Sequence, residues 1–234
     1  MVSIENQIAV VTGAGRGIGR AVAIELGKLG AQVVLAARSR AELEDTGRAI
    51  GAKASVFPTN VRKKDELQRL FEQVARALGP VDILVNAAGL GIFGPVAQFE
   101  DEDFETLIET NLRGIFFTSR LVLPSMIERK RGHIINIASI AGKVGSANRA
   151  VYCASKFGVV GFTESLAEEV RQYGIRASVI CPGSTATSFS SSESGKSKER
   201  MLRPEDVAHA VRMIVTQEPN SFISEIIMRP TQKP

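Results

Sequence analysis

I-A-V-V-T-G-A-G-R-G-I-G-R-A-V-A-I-E-L-G-K-L-G, residues 8–30, decides how this chain folds. The apolar run from Ile8 to Val11 ends at Thr12 and reads as a buried strand. After Gly17, apolar positions recur at three- and four-residue spacing and read as a helix. The glycines between the two allow a tight turn that a ligand can approach closely. The helix start behind them offers unpaired N–H groups and partial positive charge, which is what a phosphate needs. A glycine-rich turn in an arbitrary loop would not need this order of strand, turn and helix.

The same alternation continues outward from this stretch to the end of the chain. The sequence pattern predicts strands at 8–12, 32–36, 54–59, 83–86, 133–138, 176–180 and 225–228. It predicts helices at 17–29, 41–50, 64–77, 102–127, 151–173 and 204–215, with Gly30 and Gly174 as helix stops. Apolar strands alternating with helices predict an α/β fold: a single Rossmann-type, doubly wound domain over 1–234, with a seven-stranded parallel sheet flanked by helices. No internal repeat and no shift in composition marks a second domain. The stretch 188–200, S-F-S-S-S-E-S-G-K-S-K-E-R, is polar and serine-rich and does not pack by itself. It follows the Pro182-Gly183 turn after the sixth strand, so 188–203 is expected to be a loop closing over the substrate at the sheet edge.

With 234 residues, 44% hydrophobic and 23% charged, the chain is large enough to bury a sizeable core. No apolar stretch is long enough to span a membrane, and the N-terminus lacks the pattern of a signal peptide, so a cytoplasmic location is expected. The net charge of +4 is spread along the chain without a dense basic stripe, which argues against a nucleic-acid partner. The tight cluster Arg129-Lys130-Arg131 reads as a solvated loop, with attraction of a phosphate-bearing substrate carrier as a second reading. Cys153 and Cys181 are too few and too far apart for a zinc site or a redox pair, and both lie in apolar surroundings. His133 and His209 are isolated from ligand-like partners, so no metal is expected.

The chemistry concentrates in I-I-N-I-A-S-I-A-G-K-V-G-S-A-N-R-A-V-Y-C-A-S-K, residues 134–156. Tyr152 and Lys156, four residues apart on a predicted helix, share one face. The lysine charge there can lower the tyrosine pKa. Ser139 ends a buried strand at the carboxyl edge of the sheet, the rim where ligands sit in open parallel sheets. A carbonyl at that rim would meet two hydroxyls. Taken alone, a tyrosine and a lysine at this spacing are ordinary helix-surface residues.

The three-residue gap between Gly13 and Gly17 is similar to the T-G-x-x-x-G-x-G of the short-chain dehydrogenase/reductase family. The resemblance continues in order through Asn86-Ala87-Ala88-Gly89, Asn111, Ser139, Tyr152, Lys156, Pro182-Gly183, Thr185 and Thr187, and covers nearly the whole chain. It implies a bound dinucleotide contacted by Gly13, Gly15, Arg16, Gly17, Ile18 and Gly19 of the first turn. Asn60 and Val61 would meet the adenine, and Asn86, Ala87, Ala88 and Gly89 would line the adenosine side. Tyr152 and Lys156 would lie against the nicotinamide ribose, with Pro182, Gly183, Thr185 and Thr187 about the nicotinamide. At the end of the second strand stand Ala37 and Arg38, where a carboxylate would otherwise bond the ribose hydroxyls and repel a 2′-phosphate. With Arg16, this favours NADP(H) over NAD(H).

By the same resemblance the catalytic set is Asn111, Ser139, Tyr152 and Lys156, and the reaction is hydride exchange between NADP(H) and a small-molecule carbonyl or alcohol. Tyr152 would pass the proton, Ser139 would hold the carbonyl, and Asn111 would hold a water that relays protons to Lys156. The chain departs from the family's Asp-Val with Asn60-Val61. It also lacks the T-G-x-x-x-x-x-D-G-G run near the end of 3-oxoacyl carrier-protein reductases. A general ketone or aldehyde reductase is therefore the leading expectation, with a 3-oxoacyl thioester reductase of fatty-acid synthesis as the alternative. A non-catalytic NADP(H) sensor is a remote third reading, since such proteins usually lose a catalytic residue. The resemblance also implies a homotetramer or homodimer through helices 102–127 and 151–173, whose Phe116, Phe117, Val159, Val160 and Phe162 suit either an interface or the core.

Overall fold

In the computed structural model, which describes residues 2–187 and 198–232, seven strands form one sheet. They are β1 (Ile8–Thr12), β2 (Gln32–Ala37), β3 (Ala54–Pro58), β4 (Ile83–Asn86), β5 (Gly132–Ile137), β6 (Ile175–Pro182) and β7 (Glu225–Met228). The helices are α1 (Gly17–Lys28), α2 (Arg40–Ile50), α3 (Lys64–Ala77), α4 (Asp101–Ile108), α5 (Gly114–Arg129), α6 (Ala150–Val170) and α7 (Pro204–Val215). The strand order is β3-β2-β1-β4-β5-β6-β7, with every pair parallel. The order reverses between β1 and β4, which opens a crevice at the carboxyl ends of those strands, the usual ligand position in such sheets.

Parallel strands buried on both faces explain the continuous apolar runs. Along β1, Ala9 and Val11 join the core beneath α1 and α7, while Ile8 and Val10 join the opposite core with Phe71, Val122 and Leu166 from α3, α5 and α6. Burying each of the larger of these side chains, the valines, Ile8, Leu166 and Phe71, stabilises the fold by roughly 1.5–3 kcal/mol. A slip of one residue in β1 would exchange the two faces, so the register Thr12↔Asn86↔Asn136 across β1, β4 and β5 is firmly set.

The helix expected at 102–127 is interrupted. Asp101–Ile108 passes through a π-helical turn at Glu109–Arg113 before α5 begins, and that turn carries Asn111. Such single π turns are insertions into an α-helix that occur often at functional sites. In the basic cluster at 129–131, Lys130 and Arg131 lie in an exposed loop as expected, but Arg129 is half-buried. Arg129 bonds Asp82 Oδ1 at 2.6 Å and the Val81 carbonyl at 2.5 Å, and Arg131 reaches the same carboxylate at 3.3 Å. Asp82 Oδ2 also accepts from the Ile8 amide. These arginines thus fasten the amino edge of the sheet, opposite the crevice, because Asp82 there needs a countercharge. Cys153 and Cys181 are both buried. Among the described residues, no helix is long and apolar enough to cross a membrane.

Candidate active site

The turn after β1 is built for close approach. Gly13 has φ +69°, and a Cβ there would lie 2.8 Å from the Ala88 main chain, so only glycine lets the turn nest against the segment after β4. Thr12 Oγ1 accepts from the Ala88 amide at 3.2 Å and closes this contact. Arg16 caps α1 in extended conformation without a side-chain hydrogen bond to the helix, leaving that helix start to a ligand. A cradle that a Cβ would fill, backed by a helix N-terminus, fits a dinucleotide pyrophosphate. Thr187 passes over the same turn, its Cγ2 3.2 Å from where a Cβ on Gly17 would sit.

Arg38 is exposed just past β2. Arg16 Nη1 lies 3.9 Å from Glu42 Oε1, so an acidic residue that the sequence reading did not single out stands beside the turn. Asn60 Oδ1 accepts from the Arg62 amide at 3.1 Å, and Val61 packs on Gly114 at the end of the π turn. Glu109 bridges Arg62 and Arg113 and ties this segment to the turn carrying Asn111. Ala87 and Ala88 reach the glycine turn, whereas the Asn86 side chain goes inward. Its Nδ2 donates to Asn136 Oδ1 at 2.9 Å, and its Oδ1 lies 2.8 Å from the Thr118 hydroxyl. Asn136 in turn donates to Thr163 Oγ1 at 2.9 Å. This buried polar chain locks β4 and β5 to α5 and α6, and it is costly to leave half-made.

Lys156 is buried, with Nζ donating to the Ile137 carbonyl at 3.1 Å and lying 5.9 Å from the centre of the Tyr152 ring. Burial pushes its pKa down to about 8, against a small opposing effect of Cys181. Tyr152 is buried as well, and the Phe93 ring packs edge-on against it with centroids 5.3 Å apart. Ser139 stands two residues beyond Ile137 and caps a short 3₁₀ turn, Ile140–Gly142, its Oγ accepting from the Ala141 amide at 3.1 Å. Asn111 is fully buried; its Oδ1 accepts from the Leu90 amide at 2.9 Å, and its Nδ2 donates to the Leu90 carbonyl and to Ser155 Oγ. A Cβ on Gly89 would lie 3.4 Å from Asn111 Oδ1 and 3.6 Å from Lys156 Nζ, so the two meet beneath that residue. The structure therefore brings Ser139, Tyr152, Lys156 and Asn111 to one end of the crevice.

A model of the short chain dehydrogenases matches residues 7–198. The chain belongs to the short-chain dehydrogenase/reductase family. It is 34% identical over 231 residues to an uncharacterized oxidoreductase of Staphylococcus aureus (strain MRSA252), covering 98% of this chain and 100% of that one. It is 36% identical over 224 residues to the 3-oxoacyl-(acyl-carrier-protein) reductase FabG of Haemophilus influenzae, covering 92% and 93%. Among solved structures, a metagenomic short-chain oxidoreductase in complex with NADP superposes with a TM-score of 0.88 at 41% identity, covering 99% and 100%.

In this family member, the loop after β6 is held at both ends. Gly183 donates to Met228 O at 2.8 Å, Thr185 Oγ1 donates to Gly183 O at 3.0 Å, and Ala186 bonds Leu202. Most of the loop expected to close over the substrate, residues 188–197, lies outside the described residues. Sequence reasoning passed over Ser155, which stands between Asn111 and the Tyr152 carbonyl, to which it donates at 2.7 Å. A serine next to Lys156 in sequence has no periodicity to mark it. It also passed over Glu42, which reaches the glycine turn only through packing between segments far apart in sequence.

Proposed function

We propose that this oxidoreductase uses NADPH to reduce a ketone or aldehyde to an alcohol, with Tyr152 as proton donor. The observation that carries the reading is the buried Lys156 ammonium held 5.9 Å from the Tyr152 ring, with its pKa lowered to about 8 by burial. A buried cation with so little compensation is retained at a functional cost to stability, and its charge favours the phenolate that proton transfer creates.

The residues at the glycine turn fit the pyrophosphate, Arg38 and Arg16 suit a 2′-phosphate, and Lys156 suits the nicotinamide ribose. When bound, NADPH supplies the hydride for the carbonyl carbon. Ser139 donates its hydroxyl hydrogen to the substrate carbonyl and holds it in place, a positioning role of a few kcal/mol in the transition state. Tyr152 gives its phenolic proton to the carbonyl oxygen as charge develops there, and Lys156 stabilises the phenolate left behind. A free tyrosine titrates near 10, so without that charge it would be a poor acid–base at neutral pH in the oxidative direction. The Asn111 amide hydrogens are spent on Leu90 and Ser155, so the water it was expected to hold would bond its main-chain carbonyl in the π turn.

The test is NADPH and NADH oxidation followed by absorbance across small diketones, aldehydes and acetoacetyl thioesters. Turnover that survives Tyr152→Phe within tenfold of wild type would remove the assignment. The 36% identity to a 3-oxoacyl-(acyl-carrier-protein) reductase supports the second reading, 3-oxoacyl thioester reduction, and preferred turnover of the thioesters would select it. We further read the protein as cytoplasmic and as a homodimer or homotetramer. The exposed Phe104, Phe116 and Phe157 on α4, α5 and α6 give those helices an apolar outer face, and light scattering after gel filtration measures the state.

A further inference from the structure

A ring of contacts closes behind Ser139. Its 3₁₀ turn ends at Lys143, whose N–H donates to the Ile140 carbonyl at 3.0 Å. The turn is seated on α6 at the level of the buried lysine, because a Cβ on Gly142 would lie 2.6 Å from the Lys156 carbonyl oxygen. From the far end of the turn, Lys143 Nζ reaches Glu225 Oε1 at 2.6 Å and Glu164 Oε1 at 3.7 Å. Glu225 opens β7, in register with Val179 of β6. The same carboxylate oxygen accepts from Cys181 Sγ at 3.7 Å, and Cys181 follows Ile180, whose carbonyl accepts from the Ala138 amide at 2.8 Å next to Ser139. The circuit therefore runs from Ser139 across the β5–β6 pairing to Cys181, through Glu225 to Lys143, and back along the turn.

Every member is in the charge state the circuit needs. Cys181 is fully buried, and burial first, then the Glu225 carboxylate, pushes its thiol up to about 11, so the S–H stays available to donate. The hydrogen bond to Glu225 raises Lys143, which keeps its ammonium charged. Glu225 thus balances the ammonium and accepts the thiol, and it is the hub that both arms of the ring share. Ser139 Oγ already accepts from the Ala141 amide, so the direction of its own hydrogen depends on how the turn is held.

We propose that Glu225, together with Lys143, is a positioning residue that aims the Ser139 hydroxyl at the substrate carbonyl. The proposal rests on the reading of Ser139 as the donor to that carbonyl. It is tested with Ser139→Ala, Glu225→Ala, Glu225→Gln, Lys143→Met, Lys143→Arg and the double variant S139A/E225A, measuring kcat, KM, NADPH affinity by fluorescence titration, and melting temperature. Glu225→Ala and Lys143→Met are expected to lower kcat about tenfold with NADPH affinity within about twofold, and Lys143→Arg to recover most of the loss. Because Glu225 acts through Ser139, adding Glu225→Ala to Ser139→Ala should cost no more than about twofold further. A Glu225→Ala kcat within about twofold of wild type, or a full additional loss in the Ser139→Ala background, overturns the proposal. Should Glu225→Ala fail to fold, Glu225→Gln decides by its kcat: a loss of about threefold or more supports the proposal, and a smaller one overturns it. Full activity of Ser139→Ala would show that the reading of Ser139 itself has failed, whereas an inactive Ser139→Ala with an active Glu225→Ala defeats only the positioning role.

Discussion

Lys156→Met should stabilise the unliganded protein while removing its activity. The buried lysine has its pKa lowered from 10.5 to about 8, chiefly by loss of hydration. At about 1.4 kcal/mol per unit, keeping that ammonium charged at pH 7 costs the folded state about 3 kcal/mol. Methionine fills a similar volume without charge but loses the Nζ–H bond to the Ile137 carbonyl, measured at 3.1 Å. That loss returns about 1–2 kcal/mol. The net gain of about 1–2 kcal/mol corresponds to a melting temperature higher by about 4 °C in a protein of this size. The cost is fully present below the folded-state pKa, where the lysine is charged in both states. It fades as pH rises from about 8 to 10.5, because the unfolded chain then binds more protons than the folded one. The advantage of the variant should therefore shrink across that interval. Thermal unfolding of both proteins at pH 7, 8, 9 and 10 measures it. A variant less stable than wild type at pH 7, or an advantage that does not change with pH, would refute the reasoning. Turnover should fall at least about a hundredfold, since the phenolate loses its countercharge.

Tyr152→Phe should abolish turnover and leave NADPH binding intact, which fluorescence titration and the absorbance assay together establish. Glu42→Gln removes the carboxylate 3.9 Å from Arg16 and frees that guanidinium for a 2′-phosphate. NADP+ should then bind about three- to tenfold tighter with NAD+ affinity unchanged, and equal changes for both cofactors would refute the expectation. Arg38→Ala should act oppositely, weakening NADP+ about tenfold and sparing NAD+. His133 is buried with its pKa pushed down to about 3 by burial and by Arg176, so it stays neutral in the fold while the unfolded chain takes up a proton below 6.5. Stability should fall by up to about 4 kcal/mol as pH drops from 6.5 toward 3, and urea unfolding should show a flatter acid limb in His133→Gln.

Much of the architecture was legible because parallel strands buried on both faces leave unbroken apolar runs. The bounds of β1, β4, β7, α3 and α7 agree with the sequence pattern to the residue. The π turn at Glu109–Arg113 was not legible, since one inserted residue barely disturbs helical periodicity. Nor was the role of Arg129, because a basic run near a turn looks solvated until Asp82 is placed beside it by the β4–β5 pairing.

The candidate site divides along the same line. Gly13 to Gly19, Ser139, Tyr152 and Lys156 could be singled out as candidates because phosphate cradling and proton transfer call for those residue types at short spacings along one strand, turn or helix. The burial of Lys156, the inward turn of Asn86 to Asn136, and the ring from Ser139 to Glu225 were decided only by the tertiary structure. Their partners come from segments distant along the chain, and desolvation and hydrogen-bond geometry exist only once those segments are packed together.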